Sequence, residues 1–492
     1  MAPESASILA PMKVGQNAVK ASKEFSGLAA DSREVRPGYL FAALAGVCAD
    51  GADYIKDAVS RGAAAVLGRP ELGPRAKELG VRFIAEENPR LALALHAAAF
   101  FDAQPKTIAA VTGTNGKTSV SVFLRQIWTA LGKEAASLGT IGVVTSEGER
   151  ALKQTTPDPI ELHRLLADLK RDGIDHLAVE ASSHGLDQYR LDGVDISAVA
   201  FTNITRDHLD YHPTFEHYLA SKLRLFTEVV RDDGVAVVNA DADHAGHFIN
   251  AAHKRGLRVV SVGEKGETIK LESCTPHGDG QLLQVAFDGA RKKIDLPLAG
   301  SFQASNALVA AGLAIGLGDE PKRVFLALEK IAGAPGRLER VAATAHGAPV
   351  YVDYAHTPDA LKTVLMAIRP HVTGRLRVVF GCGGDRDKGK RPLMGAAAAK
   401  FADDLIVTDD NPRSENPSII RKEILAGSPK AQEIGDRATA IRAGVAALRA
   451  GDVLVIAGKG HESGQIIGNE IRPFSDRDEA IKAAVALGGA AV

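Results

Sequence analysis

The 492-residue chain is too long for one ordinary hydrophobic core, and at about 150 residues per domain it is expected to form three. An apolar fraction of 45% and a charged fraction of 24% exclude a disordered or collagen-like chain. Lys plus Arg (59) nearly balance Asp plus Glu (60), so no overall field draws the chain to nucleic acid or an anionic membrane, and small-molecule partners are expected.

Met1 to Lys13 carries Glu4 and no basic flank ahead of an apolar stretch, so it does not read as a signal peptide. Cys48, Cys274 and Cys382 lie far apart and match neither a disulfide framework nor a C-x-x-C metal spacing, which fits a reducing compartment. The apolar run Leu91 to Phe101 is interrupted by His96 and falls well short of the ~20 residues of a membrane span. These features predict a soluble, cytoplasmic protein with no membrane insertion.

Gln104-Pro105 and Gly333-Ala334-Pro335-Gly336 break the pattern and divide the chain into residues 1–104, 105–335 and 336–492. In the middle segment Thr107 to Val111 reads as a strand, and Val120, Phe123, Ile127 and Leu131 recur at helical spacing. Between them lies Thr112-Gly113-Thr114-Asn115-Gly116-Lys117-Thr118, a glycine-rich turn whose backbone amides and helix start can cradle phosphate oxygens. Lys117 is placed for the β and γ phosphates, and the Thr118 hydroxyl for the magnesium ion that bridges them. Val111 stands where the general G-x-x-x-x-G-K-[ST] pattern has its first glycine, which points to a subclass with a shorter loop.

Further on, Glu180 ends the apolar strand Leu177-Ala178-Val179, where a carboxylate suits a hydrated magnesium ion, and Ser182-Ser183-His184-Gly185 follows as a ligand-binding loop. In the last segment Pro349 to Val352, Leu376 to Phe380, Asp404 to Val407 and Val453 to Ala457 read as strands, each followed by polar or glycine residues. Strands alternating with helices predict largely parallel sheets, and the loops at the carboxyl ends of parallel strands converge on one site. The expected fold class is α/β.

Taken together, these residues resemble the Mur ligase family. The likeness rests on Gly113 to Ser119, Thr155-Thr156-Pro157, Glu180-Ala181-Ser182-Ser183-His184-Gly185-Leu186 and Asn203-Ile204-Thr205-Arg206-Asp207-His208-Leu209-Asp210. Lys222, Asn306, Gly336-Arg337-Leu338-Glu339, Asp353-Tyr354-Ala355-His356-Thr357-Pro358, Asp410-Asn411-Pro412-Arg413 and Gly458-Lys459-Gly460-His461-Glu462 extend it along the chain. The resemblance implies a small N-terminal UDP-binding domain, a central P-loop ATPase-like domain and a C-terminal Rossmann-like domain. It also implies an enzyme, acting as a monomer with ATP and Mg2+, that joins meso-2,6-diaminopimelate to UDP-MurNAc-L-Ala-D-Glu.

Carried over residue by residue, the resemblance gives ATP to Gly113, Thr114, Asn115, Gly116, Lys117, Thr118 and Ser119, with Asn306, Arg337 and Asp353. Ser32, Thr155, Thr156, Ser182, Gln188 and Arg190 fall to the UDP-MurNAc-dipeptide, and Arg386, Asp410, Asn411, Pro412, Arg413, Gly458 and Glu462 to diaminopimelate. Arg413 is the cation for the distal carboxylate, with Arg386 as a second, and Glu462 takes the distal ammonium. On their own Lys222 reads as a solvated helix lysine and His208 as a structural histidine; the resemblance instead makes Lys222 an N6-carboxylysine that holds metal with Thr118, Glu180 and His208. The catalytic set is then Lys117, Glu180, His208 and Lys222. Phosphorylation of the D-glutamate side-chain carboxylate gives an acyl phosphate that the incoming amine attacks.

Four other readings remain open at this stage. An L-lysine-adding member would lack a counter-ion for a distal carboxylate. A folylpolyglutamate synthetase would share the phosphate loop and C-terminal domain but lack Asp31-Ser32-Arg33 and Asp410 to Arg413. A non-catalytic nucleotide binder should have lost Lys117, Glu180 or Lys222, and a plain ATPase would turn over without an amino acid.

Overall fold

The structure is a computed structural model that describes residues 21–46, 49–208 and 211–492; Met1 to Lys13, Cys48 and the Leu209-Asp210 end of the Asn203 motif lie outside the described residues. The chain separates into two compact units. One holds the described residues up to Thr268 with Val309–Val324, the other Ile269–Leu308 with Phe325–Val492.

In the first unit β1 (Gly27–Ala29), β2 (Tyr39–Ala42), β3 (Ala65–Gly68) and β4 (Arg82–Ala85) form a parallel sheet in sequential order. The apolar run Leu91 to Phe101 falls in a helix, Pro89–Phe101, started by Pro89 and by the Asn88 side chain, which accepts from the Leu91 amide. Its Leu93 and Ala97 pack with Leu40 and Leu67, and the interrupting His96 is buried with its Nδ1 2.7 Å from Ser22 Oγ. Among the described residues no helix is long and apolar enough to cross a membrane.

The second sheet of this unit runs β12-β11-β10-β5-β9-β6-β7-β8. Its members are β5 (Thr107–Thr112), β6 (Ala135–Gly139), β7 (Gly142–Thr145), β8 (Gly148–Arg150), β9 (His176–Glu180), β10 (Ile196–Phe201), β11 (Val230–Asn239) and β12 (Arg258–Gly263). Strands β12 to β6 in that order are parallel, whereas β7 and β8 are antiparallel because two residues join each to its predecessor, too few for a crossover. Strand β5 is flanked by β9 and β10, so the turn that follows it opens at the point where strand order reverses. The helix Lys117–Ala130 continues from that turn and buries Val120, Phe123, Leu124, Ile127 and Trp128.

The second unit contains an antiparallel meander, β13 (Ile269–His277), β14 (Gly280–Phe287) and β15 (Ala290–Leu296). Its main sheet comprises β16 (Glu339–Ala343), β17 (Pro349–Asp353), β18 (Leu376–Phe380), β19 (Asp404–Val407), β20 (Gln432–Glu433) and β21 (Val453–Ala457). A short ribbon, β22 (Gly464–Ile467) with β23 (Glu470–Pro473), stands apart from it, and β24 (Ala490–Ala491) closes one edge in the order β20-β19-β18-β21-β17-β16-β24. Alternation along the buried strands serves both faces: Val378, Phe380 and Val455 pack with Leu361, Leu365 and Met394, while Val379, Leu454 and Ile456 pack with Ile441, Val445 and Ala480. Strands β19, β18, β21 and β17 are adjacent and parallel, so their carboxyl-end loops emerge side by side.

Candidate active site

Strand β5 ends at Thr112, and the turn after it is tied to the loop after β10. The Thr114 amide donates to Asn203 O at 2.8 Å, the Asn115 amide to Asn203 Oδ1 at 3.0 Å, and Thr202 Oγ1 to Asn115 O at 2.6 Å. Gly113, at φ 150°, lies so close to this loop that a Cβ would stand 2.0 Å from Thr202 Oγ1. Lys117 Nζ donates to Gly113 O at 2.8 Å and Thr114 O at 3.0 Å.

Thr118 Oγ1 donates to Glu180 Oε2 at 3.1 Å, joining the start of the helix to the end of β9. The Glu180 carboxylate is 2% exposed and also accepts from the Thr140 amide at 2.8 Å and the Thr140 hydroxyl at 3.0 Å. It packs against Gly139, where a Cβ would fall 2.1 Å from Oε1. This buried hydroxyl–carboxylate pair is a hard-oxygen donor set of the kind magnesium takes.

Lys222 lies on the helix Phe215–Arg224 and is 1% exposed, not solvated as its isolated reading expected. The helix turns it inward, where its Nζ donates to Gly113 O at 2.9 Å and stands 4.5 Å from the Tyr218 ring centroid. Among the described residues it forms no salt bridge. Burial, reinforced by the charge of Lys117, holds its pKa well below that of an ordinary lysine, with Asp207 opposing. Lys117 and Lys222 share the Gly113 carbonyl, and a neutral Lys222 amine removes the repulsion between them.

His208 has φ 53° and a 46% exposed side chain, with Nε2 3.7 Å from Asp207 Oδ2 and its ring centroid 5.0 Å from that of His184. No hydrogen bond joins it to Glu180 or Lys222. A separate group, Asp187, His212 and His217, brings potential ligand atoms within 4.8 Å, but a 3.0 Å Nδ1–Nδ1 contact between the histidines and a 2.7 Å bond from Tyr211 Oη to Asp187 account for it.

Five of the six residues expected at the muramoyl-peptide site form one network, and among the described residues Ser32 is not joined to it. Thr155 Oγ1 lies 3.1 Å from Thr140 Oγ1; Thr156 Oγ1 donates to Glu180 O at 2.9 Å and accepts from the Ser182 amide at 3.1 Å. Arg190 donates to Thr156 O at 2.7 Å, Gln188 Oε1 at 2.7 Å and Gln154 Oε1. Its burial lowers the guanidinium pKa and leaves it suited to an anion. Ser32 is buried at the start of a short turn capped by Asp31, and its hydroxyl bonds Asp57.

In the second unit, Asp353 ends β17, and its two oxygens accept from the Leu338 and Ala355 amides, each at 2.7 Å. Burial pushes its pKa up to about 6, against the opposing charge of Arg337. The Arg337 guanidinium lies 4.7 Å from the Tyr354 ring centroid, and its Nε is buried without a hydrogen-bond partner. Gln303 bridges Asn306 to Arg337, accepting from Asn306 Nδ2 at 3.3 Å and donating to Arg337 O at 2.7 Å.

The loops after β19 and β21 are locked together. Asn411 Nδ2 donates to Glu462 Oε2 at 2.9 Å, and Asn411 Oδ1 accepts from the Ile466 amide at 2.9 Å. Lys459, fully buried, donates to Glu462 Oε2 at 2.9 Å, Asn411 Oδ1 at 3.2 Å and Gly464 O at 2.6 Å. Arg413 is half-buried at φ 50°, four residues before the helix Pro417–Leu425 begins, and its Nη1 donates to Gly384 O at 2.8 Å. Its backbone joins the ribbon, the amide donating to Ile466 O at 3.0 Å. Pro412 is buried between these residues. Gly458, at φ 117°, has the Asp410 carboxylate against it, 2.6 Å from where a Cβ would stand. Arg386 is exposed, and the carboxylate of its neighbour Asp385 accepts from Ser414 Oγ at 2.6 Å.

Sequence reasoning gave no role to Thr140 or Lys459. Thr140 follows a Gly at a strand end, a usable signal; Lys459 was visible inside its glycine-rich motif, yet only the fold reveals its burial.

Residues 111–314 match the profile of the Mur ligase middle domain, residues 336–460 that of the Mur ligase glutamate ligase domain, and residues 24–101 that of the Mur ligase family catalytic domain. The chain belongs to the Mur ligase family. It is 57% identical to a UDP-N-acetylmuramoyl-L-alanyl-D-glutamate--2,6-diaminopimelate ligase of Bradyrhizobium diazoefficiens, covering 95% of this chain and 96% of the relative. It is 54% identical to the ligase of that name in Rhizobium meliloti, covering 95% of both. A solved structure of a ligase of the same name is 34% identical, with a TM-score of 0.71 over 94% of this chain and 95% of that one. A MurF ligase from Thermotoga maritima in complex with ADP, 18% identical over 95% and 97% of the two chains at a TM-score of 0.60, shares the fold.

Proposed function

We infer that the chain is the ATP- and Mg2+-dependent ligase that joins meso-2,6-diaminopimelate to UDP-MurNAc-L-Ala-D-Glu in peptidoglycan synthesis. The observation that carries this is near-full-length identity above half to ligases of that name, together with an intact Lys117–Thr118–Glu180–Lys222 cluster. We assign residues 1–104 to the UDP end of the nucleotide precursor, 105–335 to ATP and 336–492 to the amino acid. We also assign the chain to the cytoplasm, a reducing compartment that its widely spaced cysteines fit.

A carboxylate does not accept an amine at neutral pH, so ATP must first convert the D-glutamate side chain into an acyl phosphate. Lys117 reaches the phosphates from the β5 turn. Magnesium, when bound at Thr118 and Glu180, offsets phosphate charge in both steps. Lys222, as a neutral amine, adds carbon dioxide and loses a proton to become N6-carboxylysine, which converts a buried donor into an oxygen ligand; His208 completes the set. Arg190 and Thr156 orient the dipeptide carboxylate. The amine then attacks the acyl phosphate, phosphate leaves, and the amide forms without any covalent enzyme intermediate.

In the second unit, Arg413 meets the distal carboxylate of diaminopimelate, and Glu462 offers its second oxygen to the distal ammonium, the first being held by Lys459 and Asn411. Phosphate release from ATP with UDP-MurNAc-L-Ala-D-Glu tests the reading. Release that depends on added diaminopimelate is expected, and release at the same rate without any amino acid would overturn it.

A further inference from the structure

Beneath the loops after β19 and β21 lies an ion pair with no assigned role. Arg437 opens the helix Arg437–Ala446, Asp476 opens the helix Asp476–Ala486, and both side chains are 0% exposed. Arg437 Nε and Nη2 each donate to one Asp476 oxygen at 2.7 Å. The rest of the fork points at strand ends: Nη2 donates to Ala457 O at 3.0 Å and Nη1 to Asp409 O at 3.2 Å. Those carbonyls immediately precede Gly458 and Asp410, and Nη2 lies 3.9 Å from where a Gly458 Cβ would stand.

A buried ion pair adds little net stability over a well-packed apolar pair, so its use must be sought in geometry. A planar guanidinium can hold four acceptors in one fixed array, which neither an ammonium nor an apolar chain can do. We propose that Arg437, held by Asp476, is a positioning residue for the amino-acid substrate, fixing the spacing between the loop that carries Asp410 to Arg413 and the loop that carries Gly458 to Glu462. The inference rests on the assignment of those loops to diaminopimelate. Arg437 itself does not touch the substrate. Displacement of the loops by about 1 Å is enough to weaken productive binding by ~10- to 100-fold.

Two variants test this. Arg437→Lys keeps the buried cation but loses the fork; the double variant Arg437→Met with Asp476→Leu removes the charges and keeps the volume, so that the fold can survive. In full-length protein the KM for diaminopimelate should rise ~10- to 100-fold in both, with KM for ATP and for the nucleotide precursor within about two-fold of wild type and the double variant near wild-type Tm. A wild-type KM for diaminopimelate in either folded variant overturns the proposal, as does an equal rise in all three KM values. If the double variant does not fold, Arg437→Lys decides alone. Failure of the underlying assignment shows separately, as a wild-type enzyme that ignores diaminopimelate, and that result sinks both.

Discussion

Replacing Asp353 by Asn separates two effects that oppose one another in the folded protein. The carboxyl has an ordinary value of 3.8 and is pushed up to about 6 by burial. A carboxyl whose folded value exceeds its unfolded one takes up a proton on folding, so stability is highest below the unfolded value and declines as pH rises towards the folded one. At ~1.4 kcal/mol per pH unit the full penalty above the folded value is ~3 kcal/mol. Asn cannot ionise and escapes it. It has one acceptor oxygen where Asp353 uses two, so either the Leu338 or the Ala355 amide loses its partner, at a pH-independent cost of ~1–3 kcal/mol. The difference between variant and wild type should therefore move in favour of Asn by ~1.4 kcal/mol between pH 5 and pH 8, about half of the full linkage term. Urea unfolding followed by circular dichroism at several pH values in that range measures it. A difference that stays constant with pH would refute the buried, proton-binding carboxyl.

Three further outcomes are expected. Lys117→Ala should keep its circular dichroism spectrum, because the side chain bonds carbonyls of its own turn rather than filling the core, yet lose at least ~10²- to 10³-fold in kcat; near-normal turnover would remove Lys117 from the phosphate site. Wild-type protein in 13C-bicarbonate should give a carbamate NMR signal that Lys222→Ala lacks, and a short carboxylic acid should restore part of the lost activity to that variant. Arg413→Ala should lower kcat/KM for diaminopimelate and largely abolish discrimination against L-lysine, an effect of ~2 to 5 kcal/mol measured by competing the two amino acids.

Local chemistry made much of this legible beforehand. The β5 strand, its glycine turn and the following helix could be read because apolar periodicity changes from strand to helix across a run that only glycine can turn, and β5 proved one residue longer than expected. Strand β17 likewise gained one residue, Asp353, whose carboxylate is satisfied by backbone amides at the strand end. The antiparallel flank β7–β8 was less legible, since its short strands carry no extended apolar run. Burial of Lys222 could not be read from the sequence: a lysine on an amphipathic helix normally faces water, and only the fold places the Gly113 carbonyl in front of it. The same holds for Arg437 and Asp476, 39 residues apart in the chain, whose pairing depends on two helix starts meeting under one sheet.

The amino-acid choice is the point on which the account stands most directly. With UDP-MurNAc-L-Ala-D-Glu and ATP saturating, kcat/KM is measured for meso-2,6-diaminopimelate and for L-lysine with the wild-type protein. Bound lysine leaves the Arg413 guanidinium without a carboxylate, so diaminopimelate should be preferred by ~30-fold to a few thousand-fold, the equivalent of ~2 to 5 kcal/mol. An equal or higher kcat/KM for L-lysine would contradict the account.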